Sequence, residues 1–275
     1  MEDTIKHHLE GITFGDAQRH RNMAVWPIFS SVDGGPHYMT MKEAMAGGFL
    51  TVTEVSAGGA VPELKVVNSA PTAVLILDGE ELAGAKQNRI VNTTILLRRQ
   101  SETIIPVSCT EQGRWSYVSS HFDESGHIAA HRVRGAAKQS VTACLKSAGR
   151  FHSDQGAVWD NVASVLEDSR VASNTGAMKD AFESKARDID EYLGKFACLP
   201  GQKGLLVLID GKAAGLDLVS LEGAYAALHP KLVKSYAMEA IALGGRDGKA
   251  IPDGVPQAFL AEALACTGQR FKSVG

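Results

Sequence analysis

The spacing of apolar residues changes once along this chain, near residues 120–130, and that change restricts the fold more than any other feature. Before it, short apolar runs recur at residues 24–29, 50–55, 64–67, 73–77, 90–97 and 103–107, separated by Gly, Pro, Asn and Asp. Runs of that length and interval predict strands joined mainly by local connections. One short helix is expected among them, because Thr40 and Glu43 form a capping box and Gly47-Gly48 supplies a stop. After the change, Val133, Ala137, Val141 and Leu145 lie four apart. Val158, Val162, Val165 and Leu166 repeat the pattern behind a cap at Ser153 or Asp154. Met178, Phe182, Ile189, Leu193 and Phe196 trace a longer amphipathic helix, and residues 225–243 read as a helix that Pro230 should kink or split. Residues 205–209 return as one strong strand, and the tail after Thr267 looks loose.

Strands first and helices after predict an α+β fold: a largely antiparallel or mixed sheet from the first half, with helices of the second half on one face. Its 275 residues are read as a single domain, β-rich over 20–118 and helical with one returning strand over 130–266. A division near residues 120–130 is the alternative. Asp78-Gly79 and Asp210-Gly211 each follow an apolar strand, a faint echo that a common turn explains as well as a duplication does.

Composition narrows the function. With 28 basic and 31 acidic residues the net charge is -3, without the footprint of a general nucleic-acid or polybasic membrane binder. No apolar run approaches the ~20 residues of a membrane helix. The opening Met1-Glu2-Asp3 lacks an export pattern, so a cytoplasmic protein with reduced cysteines is expected. P-loop, Rossmann, zincin and nucleophile-elbow signatures are absent, and no cofactor is implied.

Chemistry concentrates in two segments. Residues 77–89 read Leu-Asp-Gly-Glu-Glu-Leu-Ala-Gly-Ala-Lys-Gln-Asn-Arg, with Asn92 just beyond. Arg89 could fork onto a phosphate or carboxylate, assisted by Lys86, while Gln87, Asn88 and Asn92 orient neutral groups. Glu81, or its neighbour Glu80, could serve as a general base or acid if burial raises its pKa. In the second segment Cys109, Glu111, Arg114 and Trp115 follow the end of a strand. Cys109 is a candidate nucleophile, Glu111 a second candidate base, Arg114 an anion holder and Trp115 a stacking platform. A Glu111–Arg114 clasp and an inert buried thiol are the structural alternatives. His121, His127 and His131 have metal-ligand residue types but no second tight pair, so no metal is expected.

These two segments, L-D-G-E-E-L-A-G-A-K-Q-N-R-I-V-N-T-T and I-P-V-S-C-T-E-Q-G-R-W-S-Y, resemble the bacterial family of ADP-ribosylglycohydrolase and rhodanese/phosphatase-superfamily-associated proteins. The later S-D-Q-G-A-V-W and D-G-K-A-A-G-L-D-L share the likeness, which covers roughly residues 10–245. It implies a setting of ADP-ribose, NAD-derived or phosphorylated ligands and carries no catalytic residues with it. Together these readings predict a small-molecule site for a nucleotide- or sugar-phosphate-like anion, with hydrolysis open, where the guanidinium groups of Arg89 and Arg114 meet in one hollow. The competing expectation is a non-catalytic structural or interaction protein whose polar segments form a buried stabilising network. Oligomeric state is left open.

Overall fold

The structure is a computed structural model and describes residues 2–32, 34–245 and 254–275. The first segment carries α1 (Asp3–Glu10), β1 (Ile12–Phe14), β2 (Gln18–His20) and β3 (Met23–Ser30). Next come β4 (Tyr38–Thr40), α2 (Met41–Ala46), β5 (Leu50–Glu54), β6 (Glu63–Asn68), β7 (Ala73–Ile76), β8 (Glu80–Gly84) and β9 (Arg89–Val91). They are followed by β10 (Ile95–Leu97), β11 (Ser101–Cys109), β12 (Phe122–Ile128), α3 (His131–Ala148), α4 (Gln155–Asp168) and α5 (Met178–Ser184). The chain closes with α6 (Ala186–Lys195), β13 (Gly204–Ile209), β14 (Lys212–Leu218), α7 (Glu222–Ala242) and α8 (Val255–Ala265). The α+β class expected from the sequence is the class observed. The strands are distributed over three sheets and two compact units: Met1–Pro36 with Asp188–Arg270, and His37–Arg187 with Phe271–Gly275. Neither division falls near residues 120–130.

In the first unit an antiparallel sheet runs β1-β3-β13-β14, with β2 also paired to β3. Every residue of β13 is buried, as expected for a strand covered on both faces. Leu206 and Leu208 pack with Ile12, Ala24, Trp26 and Ile28 on one face, joined by Phe259 and Leu260 of α8. Asp210 and Gly211, both at positive φ, turn β13 directly into β14. Residues 77–80 make no such hairpin, since β7 pairs with β10 and β4 while β8 lies in another sheet. Helix α7 packs on β13 and runs as one helix through Pro230, so of the expected kink or split the split does not occur. Pro230 and Ala226, whose carbonyl loses its backbone donor, lie on the exposed stripe of the helix, where water can take that bond, while the rest of the helix is held by its buried residues.

In the second unit six strands close into a barrel in the order β11-β6-β5-β12-β8-β9, beside a three-stranded sheet β10-β7-β4. Alternation selects the inward rows: Leu50 and Val52 of β5, Leu64 and Val66 of β6, Ile105 and Val107 of β11, Leu82 of β8 and Val91 of β9 share one core. The capping box of α2 forms as expected, with Thr40 Oγ1 accepting from Glu43 N and Glu43 Oε2 accepting from Thr40 N at 2.8 Å. Asp154 caps α4, which packs on β11 between α3 and α5. The expected long helix from Met178 to Phe196 is interrupted at Lys185, giving α5 and α6. The tail keeps no helix or strand after residue 266, yet Val274 packs against the barrel core.

Candidate functional site

Antiparallel pairing brings the ends of β5, β8 and β11 to the same mouth of the barrel as the starts of β6, β9 and β12. The inward rows that are apolar along the barrel turn polar there. Glu54 continues the row of Leu50 and Val52, Arg89 that of Val91, and Cys109 that of Ile105 and Val107. Arg89 and Cys109 face each other across the β9–β11 ladder. Three connections cover this mouth: residues 55–62, 85–88 and 110–121.

Arg89 is wholly buried (0% exposed). Its Nη1 donates to Gln87 Oε1 at 2.9 Å and to the Asn88 carbonyl at 3.4 Å, whereas Nε and Nη2 have no partner among the described residues. The Trp115 ring centroid lies 5.6 Å from its guanidinium carbon. Burial lowers the Arg89 pKa, opposed by the nearby Cys109 and Glu54, with Arg114 adding repulsion. Glu54, 9% exposed, also has both carboxylate oxygens without a partner among the described residues. Lys86 donates from Nζ to the Gly58 carbonyl at 2.6 Å and sits 5.1 Å from the ring centroids of both Trp115 and Tyr117. Burial pushes the Cys109 thiol above its usual pKa, and Glu111 N donates to its sulfur. Little thiolate is therefore present at neutral pH.

Arg114 is placed differently. Nη1 donates to the carbonyls of Ala85 (2.8 Å) and Ser116 (3.1 Å), and Nη2 to Glu111 Oε2 (2.5 Å) and Asn88 Oδ1 (3.2 Å). It lines a cleft of ≈ 480 Å³ with Ala83, Asn88, Glu111, Ala177 and Lys179, and Arg89 is not among its lining residues. The two guanidinium groups thus approach closely without sharing one hollow, which departs from the expected arrangement. Asn88, at the strand start, explains it: its carbonyl meets Arg89 while its side chain meets Arg114. The clasp is completed by Asn88 N and Thr175 Oγ1 donating to Glu111, and Gln87 Nε2 donating to the Glu111 carbonyl. Burial alone would raise the Glu111 pKa, but Arg114, the Asn88 amide and Thr175 outweigh it and hold the carboxyl below its usual range.

Glu81 lies in the opposite row from Leu82. Burial pushes its pKa up to about 7, against hydrogen bonding from Thr110 and Ser125 and the charge of Lys179. Of Glu81 and Glu111, it is the one whose proton exchanges near neutral pH. Asn92 stands apart from the mouth: its Nδ2 donates to the Phe151 carbonyl at 3.0 Å, and its Oδ1 accepts from Ser108, which also bonds Ser153.

Two polar contacts escaped the sequence reading. The Gln155 side chain pairs with both backbone groups of Cys109, accepting from its N–H at 2.8 Å and donating to its carbonyl at 2.9 Å. Asp78 takes a two-pronged bond from buried Arg134, at 2.9 and 3.1 Å, which with Lys138 and Thr94 outweighs burial and depresses its pKa. His127 stacks on Phe182 at 4.5 Å and His121 lies 3.6 Å from Asp123, both around strand β12 rather than in a free polar loop. Among the described residues no group of His, Cys, Asp and Glu could hold a metal ion.

The ARG and Rhodanese-Phosphatase-superfamily-associated Protein domain, ARPP-1, matches residues 11–275. The chain belongs to this family. No curated protein and no solved structure matches it. The ARPP-1 match spans both compact units, so the barrel mouth and the sheet of the first unit are both part of the domain. Among the described residues of this ARPP-1 chain, no helix is long and apolar enough to cross a membrane.

Proposed function

We propose that the barrel mouth binds a small anionic ligand of the nucleotide or sugar-phosphate class, anchored by Arg89 and covered by Trp115. The observation that carries this reading is the guanidinium of Arg89, wholly buried with Nε and Nη2 unpartnered among the described residues. A buried cation left so costs stability, and a phosphate or carboxylate presents two oxygens at the spacing of that fork. Barrel mouths are common ligand sites, and a half-exposed indole (47%) over the cation suits a base or sugar face. The resemblance carried by the two polar segments adds ADP-ribose and related phosphates to the compounds worth testing.

The test is titration of inorganic phosphate, AMP, ADP-ribose, NAD and sugar phosphates, read by thermal shift and by indole fluorescence, with Trp115→Phe as the fluorescence control. A compound at 100 times its dissociation constant should stabilise the fold by roughly 2.7 kcal/mol. Arg89→Lys keeps the charge but loses the fork, and should weaken binding about tenfold or more. No binding of any compound, or binding indifferent to Arg89→Lys, defeats the reading.

The Arg114 clasp favours a second reading, in which these segments form a stabilising polar network. Under it Arg114→Ala lowers the melting temperature and no compound raises that of the wild type. Hydrolysis would need a base facing the mouth, and Glu81, in the row opposite to that of Leu82 and Arg89, points away from it.

A further inference from the structure

We propose that Glu54 is the second pole of the mouth, selecting ligands that carry hydroxyl or amine donors away from their anionic group. This rests on the Arg89 reading and sharpens it. Glu54 ends an alternating strand, Leu50-Thr51-Val52-Thr53-Glu54, on the row that otherwise builds the apolar core. A chain end of β5 facing inward has no structural need of a charge there. Its oxygens, buried and without partners among the described residues, accept only, so what satisfies them must donate.

The surroundings hold the carboxylate in place. Gly59 sits at φ +72, and a Cβ there would lie 3.2 Å from Glu54 Oε2 and 3.3 Å from Lys86 Cδ, so the backbone closes down on both side chains. The Lys86 ammonium is turned away to the Gly58 carbonyl and the two aromatic rings, and forms no ion pair with Glu54. Arg89 is near enough for the Glu54 charge to favour its protonated form. One negative and one positive group, each with unpartnered atoms, therefore face the same end of the barrel. A simple anion satisfies only the positive one. A phosphate ester of a polyol or amino sugar satisfies both, with its ring beneath Trp115.

Three phosphates of similar size separate the contributions: glucose 6-phosphate, glucosamine 6-phosphate and cyclohexylmethyl phosphate, which has no donor on its ring. Their dissociation constants are measured on the full chain as wild type, Glu54→Gln and Arg89→Lys. In the wild type both sugar phosphates should bind about tenfold or more tightly than the cyclohexyl ester, the worth of a charge-assisted hydrogen bond. Glu54→Gln should collapse that preference, bringing the three dissociation constants to within about twofold of one another, whereas Arg89→Lys should weaken all three. A preference that survives Glu54→Gln, or no preference in the wild type, overturns the Glu54 inference and spares the Arg89 reading. Absence of binding by all three and by inorganic phosphate overturns both. The melting temperature gives an independent check: Glu54→Gln removes a charge that supports the Arg89 cation but no hydrogen bond among the described residues, so any fall should be small, and a fall of several degrees would mark Glu54 as structural.

Discussion

At the scale of single residues, the contrast between Glu81 on β8 and Glu111 just past β11 shows environment dividing two carboxylates. Glu111 is paired and stays charged. Glu81 is buried with weak support and titrates at about 7 against an ordinary value of 4.5. Between those two pH values the folded chain holds a proton that the unfolded chain has released, so stability falls as pH rises through that window and is lowest above it. Urea unfolding of Glu81→Gln between pH 4.5 and 8 should lack this fall, leaving the variant more stable than wild type above pH 7. An equal slope in both proteins would place the titration elsewhere. The residues around these carboxylates were legible in the sequence as two dense polar runs. Arg134 and Gln155 were not, because their partners are a carboxylate and a backbone that only tertiary structure brings near. Glu54 lies between. The alternation of its strand marks it as inward, but a lone acid at a strand end reads like the start of a turn.

At the scale of elements, closure of the barrel depends on Gly84, where β8 leaves the ladder. Its φ of +121 suits glycine, and a Cβ would stand 2.6 Å from Ser119 Oγ and 2.9 Å from the His121 carbonyl. Gly84→Ala should therefore destabilise the fold by about 2 kcal/mol in chemical denaturation and loosen the 110–121 connection that carries Trp115. A neutral result would show that the connection can retreat without cost. Elements with strong local signals were legible: the α2 capping box, the Asp154 cap and the alternating strands. Strand β12 was hidden because its run Phe122-Asp123-Glu124-Ser125-Gly126-His127-Ile128 is polar in the middle, and only its end residues are buried. The unbroken α7 shows the opposite limit, with burial of its other faces carrying the helix past an exposed proline that local rules treat as a break.

At the scale of the whole molecule, the barrel unit is built almost wholly from consecutive residues 37–187, whereas the other unit joins residues 1–36 to 188–270. A polypeptide comprising residues 37–187 should fold with the far-ultraviolet signature of a β-rich domain and resist limited proteolysis. A random-coil spectrum would show that the Val274 contact is indispensable. No local pattern announced this nesting, since it depends on β3 pairing with β13 across more than half the sequence. Vectorial synthesis gives it a kinetic meaning. On the ribosome the barrel can form while β3 waits for β13 to emerge. Until then β3 exposes an open edge and apolar side chains, so the nascent N-terminal segment is where a chaperone would be needed most.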